Sequence, residues 1–156
     1  MQTFLPYPDF ERSAQVLDYR RLGKQRVEGL QILGAIHNIS VRYPNIKTNG
    51  TVGWKNHPAT NMWRGYEKAL VHYVKTCCLE WIGRGYKDTR LEALNYFFPN
   101  LLIGSYGLPD WFGLEKFHSS HRAALLAKNF QYYKQFGWTE NPEINYMWSS
   151  KSTTHD

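Results

Sequence analysis

Two stretches in which apolar residues return every three or four positions constrain this chain more than any other feature. Ala14, Leu17, Val27, Leu30, Leu33 and Ile36 recur in this way between about Phe10 and His37. Met62, Tyr66, Ala69, Leu70, Tyr73, Val74, Cys77 and Trp81 do the same from Pro58 to about Ile82. That period lays one apolar stripe along each of two long helices, and such stripes must be buried against one another or against further helices. No run alternates apolar and polar residues as a half-buried strand would. The pattern predicts a mainly α fold: a single compact helical domain with long loops over residues 1–148, followed by a polar tail over 149–156. A chain of 156 residues, 42% of them hydrophobic, is long enough to bury a core without a disulfide or a metal.

Local signals place the boundaries. Pro6 and Pro8 keep the first eight residues extended, and Asp9 is positioned to cap the first helix. Gly23 is expected to weaken or kink that helix. Pro44, Asn45, Asn49, Gly50 and Gly53 mark a surface loop over residues 43–56, and Pro58 suits the first turn of the second helix. Gly83 and Gly85 stop it. Asp88 or Thr89 is expected to cap a short third helix through Leu94, and residues 99–114 read as loop. Ser119 or Ser120 is expected to cap a helix from His121 to Lys128. Asn129 would cap another through Phe136, closed by Gly137.

Charge narrows the function classes. The net charge is +6 and the pI about 9.3, a balance that favours nucleic acid or an anionic membrane. No stretch approaches the roughly 18 apolar residues of a membrane span. Cys77 and Cys78 are adjacent, which suits neither a useful disulfide nor a zinc site, so they read as apolar fillers in a reducing compartment. The first residues lack a basic segment and an apolar run, so no signal peptide is expected. The expectation is a soluble, cytoplasmic monomer with no membrane contact.

Four groups of residues carry candidate chemistry. Arg20, Arg21, Lys24 and Arg26 precede Glu28, and a helix brings Arg21, Lys24, Gln25 and Glu28 onto one face. Cations can hold a phosphate backbone there while the carboxylate moves protons; a solvated face with a weak Lys24–Glu28 pair is the plain alternative. Lys55-Asn56-His57-Pro58 leads a loop into a helix, where free N–H groups favour an anion, and His57 either touches it or only caps the helix. His118-Ser119-Ser120-His121-Arg122, with Lys128, reads as a polar phosphate-contacting cluster, as an ordinary surface helix, or, with His57, as a metal set. Tyr132 to Trp138, backed by Tyr146-Met147-Trp148, suits base stacking or core packing.

Taken in order, these pieces resemble the pyrimidine-dimer DNA glycosylase (endonuclease V-like) family. The likeness rests on Leu22-Gly23-Lys24-Gln25-Arg26-Val27-Glu28 on an early helix and His57 at the head of the second. Arg84-Gly85-Tyr86-Lys87-Asp88-Thr89 follows at that helix's end, then the Ser120–Lys128 helix and the Tyr132–Trp138 aromatics. It spans residues 1–138 and is carried by shared order. The family pattern sets its Arg and Glu side by side; here Val27 intervenes and turns Glu28 about 100° further round the helix.

The resemblance implies a helical enzyme needing no metal or cofactor, acting on double-stranded DNA with a damaged or modified base. Such enzymes cut the glycosidic bond at a pyrimidine dimer and then nick the abasic strand. The family's nucleophile is the N-terminal α-amine, implied here at Met1, because bulky Gln2 leaves the initiator in place. An α-amine titrates at about 7.7–8.0, so part of it is neutral near physiological pH, whereas a lysine near 10.4 is not. Glu28 is the implied catalytic carboxylate. Arg21, Lys24, Gln25, Arg26, His57, His121, Arg122 and Lys128 are the implied DNA contacts. Two other readings remain: a non-catalytic nucleic-acid-binding module on the same surface, and a metal-dependent hydrolase built on His57, His118 and His121.

Overall fold

A computed structural model describes residues 1–45 and 52–148. The predicted polar tail and the loop positions Asn49 and Gly50 lie outside the described residues. Among those described, the regular structure is helical and no strand occurs. The α-helices are α1 (Phe10–Val16), α2 (Tyr19–His37), α3 (Pro58–Trp63), α4 (Glu67–Gly83), α5 (Arg90–Phe97), α6 (Glu115–Lys128) and α7 (Phe130–Tyr133). Short 3-10 turns follow at Pro99–Leu102 and Lys134–Phe136.

The two striped helices are present, and α2 packs along α4 to form the centre of the molecule. Leu22, Leu30, Leu33, Leu70, Tyr73, Val74 and Cys77 are all buried in one core. Cys77 and Cys78 are buried and free, and burial pushes the Cys77 thiol up to about 12, so both act as apolar filler. Asp9 caps α1, its carboxylate accepting the Arg12 N–H at 2.9 Å.

Tertiary contacts break both long helices where the apolar period runs on. The first is interrupted at Leu17–Asp18, where both residues are extended. The Tyr133 hydroxyl donates to the Asp18 carboxylate and accepts the Asp18 N–H, so a distant ring holds the break open. α2 runs unbroken through Gly23; a Cβ there would sit 3.1 Å from the Trp81 ring, so its bare face admits a close neighbour. The second pattern divides at Arg64–Tyr66, where Gly65 takes φ 88° and lets the chain turn between α3 and α4.

Two further boundaries move. α6 begins at Glu115, so Ser119 and Ser120 lie inside it rather than capping it; their hydroxyls donate to Glu140 and to the Phe117 carbonyl. α5 runs one turn past Leu94, with the Asp88 carboxylate accepting the Leu91 N–H. Asn129 caps α7 as expected, and Gly137 closes that segment with φ 71°.

Candidate active site

The amphipathic pattern of α2 decides the site. Its apolar stripe is committed to α4, which turns Arg21, Lys24 and Glu28 toward the first residues of the chain. Between them lies a cleft of about 1030 Å³. Met1, Gln2 and Phe4 form one wall; Tyr19, Arg20, Arg21, Lys24, Glu28 and Gln31 form another. Trp81, Lys128, Ile144 and Tyr146 complete it.

Glu28 lies against the chain's beginning. Its Oε2 accepts the Gln2 main-chain N–H at 3.2 Å, next to Met1. Glu28 enters no ion pair among the described residues, although Lys24 is one turn away. His57 caps α3, its Nδ1 accepting the Ala59 N–H at 3.0 Å. Burial lowers the His57 pKa; the positive chain terminus lowers it further and Glu28 opposes both. Terminus, carboxylate and imidazole therefore share one electrostatic neighbourhood, flanked by the rings of Trp54 and Trp148.

Arg20, Lys24 and Lys128 are exposed on the rim and enter no ion pair among the described residues. Arg21 also lines the cleft, tied to Asp18 at 3.0 Å. Three of the expected DNA contacts, Arg26, His121 and Arg122, lie elsewhere, and a fourth, Gln25, borders the cleft but is enclosed. Gln25 is buried; its Oε1 accepts the Phe4 N–H at 2.7 Å and its Nε2 donates to the Gln2 carbonyl at 2.9 Å. Arg26 turns away to a buried ion pair with Asp88 and lies over the Trp81 ring. His121 is fully buried and accepts the Leu5 N–H. Arg122 is held by Glu115, Glu140 and the Pro6 carbonyl. Each of these side chains is engaged by a partner within the protein.

The three-histidine metal reading gains no support from the geometry. His118 and His121 use their ring nitrogens on the Leu5 backbone, and no group of three or more ligand-type side chains occurs among the described residues. The aromatic run is largely structural: Tyr133 is buried, Trp138 stacks on it at 5.5 Å, and the Trp138 indole N–H donates to the Tyr7 hydroxyl. Sequence reasoning missed Tyr19, Gln31 and Ile144 as cleft residues, whereas Tyr146 stood among the aromatics suited to base stacking. Tyr19 stands directly before the basic run and was within reach of the helical-face argument, whereas Ile144 arrives on a segment without regular structure that no periodicity announces.

Among the described residues, a helical scaffold thus brings the cations of α2, the Glu28 carboxylate and the chain's first residue to one cleft. The family model for pyrimidine dimer DNA glycosylases matches residues 1–93, and the chain belongs to that family. It is thus a DNA glycosylase by descent, with DNA as its substrate class. Neither the curated proteins nor the solved structures gave a match. The matched span includes Met1, Lys24, Glu28 and His57; Lys128 and Tyr146 reach the cleft from beyond it.

Proposed function

We propose that this protein cuts the glycosidic bond at a pyrimidine dimer and then nicks the strand, using the α-amine of Met1 as nucleophile and Glu28 for proton transfer. The observation that carries the reading is the hydrogen bond from the Gln2 N–H to Glu28, which keeps the terminus and the carboxylate in one cationic cleft. A module that only binds DNA has no need of that juxtaposition.

The neutral amine attacks C1′, and the C1′–N bond breaks with its electron pair leaving on the base. The nitrogen gives up a proton as the sugar ring opens, O4′ taking a proton and C1′ becoming a protonated imine. Loss of a C2′ proton then expels the 3′ phosphate and cuts the strand. Glu28 accepts and returns protons in these steps, and its charge stabilises the cationic imine. Arg20, Arg21, Lys24 and Lys128 hold the backbone, and a damaged step is cheaper to unstack than an intact one. Thr3 is a poor substitute nucleophile: it is buried, and its hydroxyl accepts the Trp63 indole N–H at 3.0 Å.

Borohydride added during reaction with dimer-containing duplex should trap a covalent adduct, with intact mass confirming a free Met1 amine. Blocking the terminus with an added tag should remove the adduct. Salt-sensitive binding without adduct or cutting would leave the binding-module reading in its place.

A further inference from the structure

The first residues of the chain are buried yet belong to no helix, and among the described residues no main-chain to main-chain hydrogen bond ties residues 2–5 to the body of the protein. A buried segment of that kind must satisfy its backbone some other way. It does so through side chains from three helices. From α2, Glu28 takes the Gln2 N–H, while Gln25 takes the Phe4 N–H and donates to the Gln2 carbonyl. From α4, the Tyr73 hydroxyl stands 2.7 Å from the Phe4 carbonyl and 2.8 Å from the Gln25 Oε1. From α6, His121 Nδ1 accepts the Leu5 N–H at 2.9 Å, and His118 Nδ1 lies 2.7 Å from the Leu5 carbonyl.

The tautomers follow from the partners. Gly113 N–H donates to His118 Nε2, which leaves the proton on Nδ1 to donate to Leu5. His121 accepts at Nδ1 and carries its proton on Nε2. Burial holds His121 at about 3 and also lowers His118, which favours the neutral rings these roles require.

Gln25, Tyr73, His118 and His121 are each almost wholly buried. Burying four polar side chains to hold four residues is a costly way to secure a strap, since apolar packing would serve that purpose without the desolvation. It is a suitable way to fix coordinates, because each bond is directional and each comes from a rigid helix.

We infer that Gln25, Tyr73 and the His118–His121 pair are positioning residues that lock the main chain of residues 2–5 and thereby set where the Met1 α-amine stands relative to Glu28 and the bound sugar. This rests on the nucleophile proposed above. All four side chains are committed to the protein's own main chain. They act through the backbone they hold, and a displacement of about 1 Å at a reacting atom is enough to cost on the order of 100-fold in rate.

The test compares Tyr73→Phe and Gln25→Met with Leu94→Ala, a core substitution on α5 with no bond to residues 2–5. Single-turnover borohydride trapping and DNA affinity are measured at a temperature where circular dichroism shows each variant folded. The expected result is a split: the two cradle variants trap about 10- to 100-fold more slowly while binding dimer DNA within about twofold of wild type, and Leu94→Ala does both normally. Amide exchange at Gln2, Phe4 and Leu5 should accelerate in the cradle variants alone. Wild-type trapping rates in Tyr73→Phe and Gln25→Met would overturn the inference while leaving the nucleophile in place. Absence of any adduct in the wild-type protein would instead sink the nucleophile, and this inference with it.

Discussion

Glu28 is surrounded by cations on its own helix, yet its carboxylate is engaged by a main-chain N–H of the chain's second residue and by no ion pair among the described residues. That leaves its charge free to act on whatever enters the cleft. Glu28→Gln keeps a carbonyl oxygen for the Gln2 N–H and removes only the proton chemistry. Single-turnover strand cutting should fall by at least about 100-fold, while DNA affinity by fluorescence anisotropy stays near wild type. Cutting at the wild-type rate would show that another group moves the proton. His121 supports a second expectation. Burial depresses its folded pKa from 6.5 to about 3, so the unfolded chain binds a proton that the native ring refuses. Stability is then full above about pH 6.5 and is lost as pH falls toward 3, with a slope of at most about 1.4 kcal/mol per pH unit from this one ring. His118, lowered in the same direction, adds to the slope. Urea melts at pH 7.5, 6 and 5 should show the decline, and His121→Gln should flatten it.

Between elements, two contacts carry most of what the fold demands. α2 and α4 approach so closely at Gly29 that a Cβ there would meet Val74 Cγ2 at 2.4 Å. Gly29→Ala improves helix propensity by up to about 1 kcal/mol but forces a stiff β-branched neighbour aside. It should destabilise by about 1–3 kcal/mol, and Val74→Ala in the same chain should restore part of the loss. Melting of the two single variants and the double variant decides it. The other contact is the buried Arg26–Asp88 pair, which joins α2 to the start of α5 and supplies the acceptor for Leu91. Asp88→Ala strands a guanidinium and should cost about 3–5 kcal/mol in chemical denaturation. The helical period made both long helices legible, but their breaks at Leu17–Asp18 and Arg64–Tyr66 were not. Each break is made by a partner remote in sequence or by a glycine turn inside an apolar stripe that continues across it.

For the whole molecule, charge placement separates residues that meet DNA from those that hold the protein together. Binding should weaken linearly in log salt. Lys24→Ala and Lys128→Ala should each reduce the slope by about 1 without altering the melt. Arg122→Ala should leave the slope alone and lower the melting temperature, because its guanidinium is spent on Glu115, Glu140 and Pro6. Anisotropy titrations between low and physiological salt distinguish the two outcomes.

The chain's own pattern was sufficient for the helical class, the α2 and α4 stripes, the Asp9 and Asn129 caps, the basic surplus and the family. These follow from local periodicity and composition, which need no partner to be read. Which cations face solvent was a different matter. Arg21, Lys24, Gln25 and Arg26 look alike along one helix, but only burial against α4, Asp88 and the chain's first residues decides that Lys24 is free, Arg26 is paired and Gln25 is enclosed. The same holds for Met1 and Glu28. The resemblance names both residues, but no local period links Gln2 to Glu28, 26 positions on; their hydrogen bond is produced by α2, α4 and α6 closing together around residues 2–5.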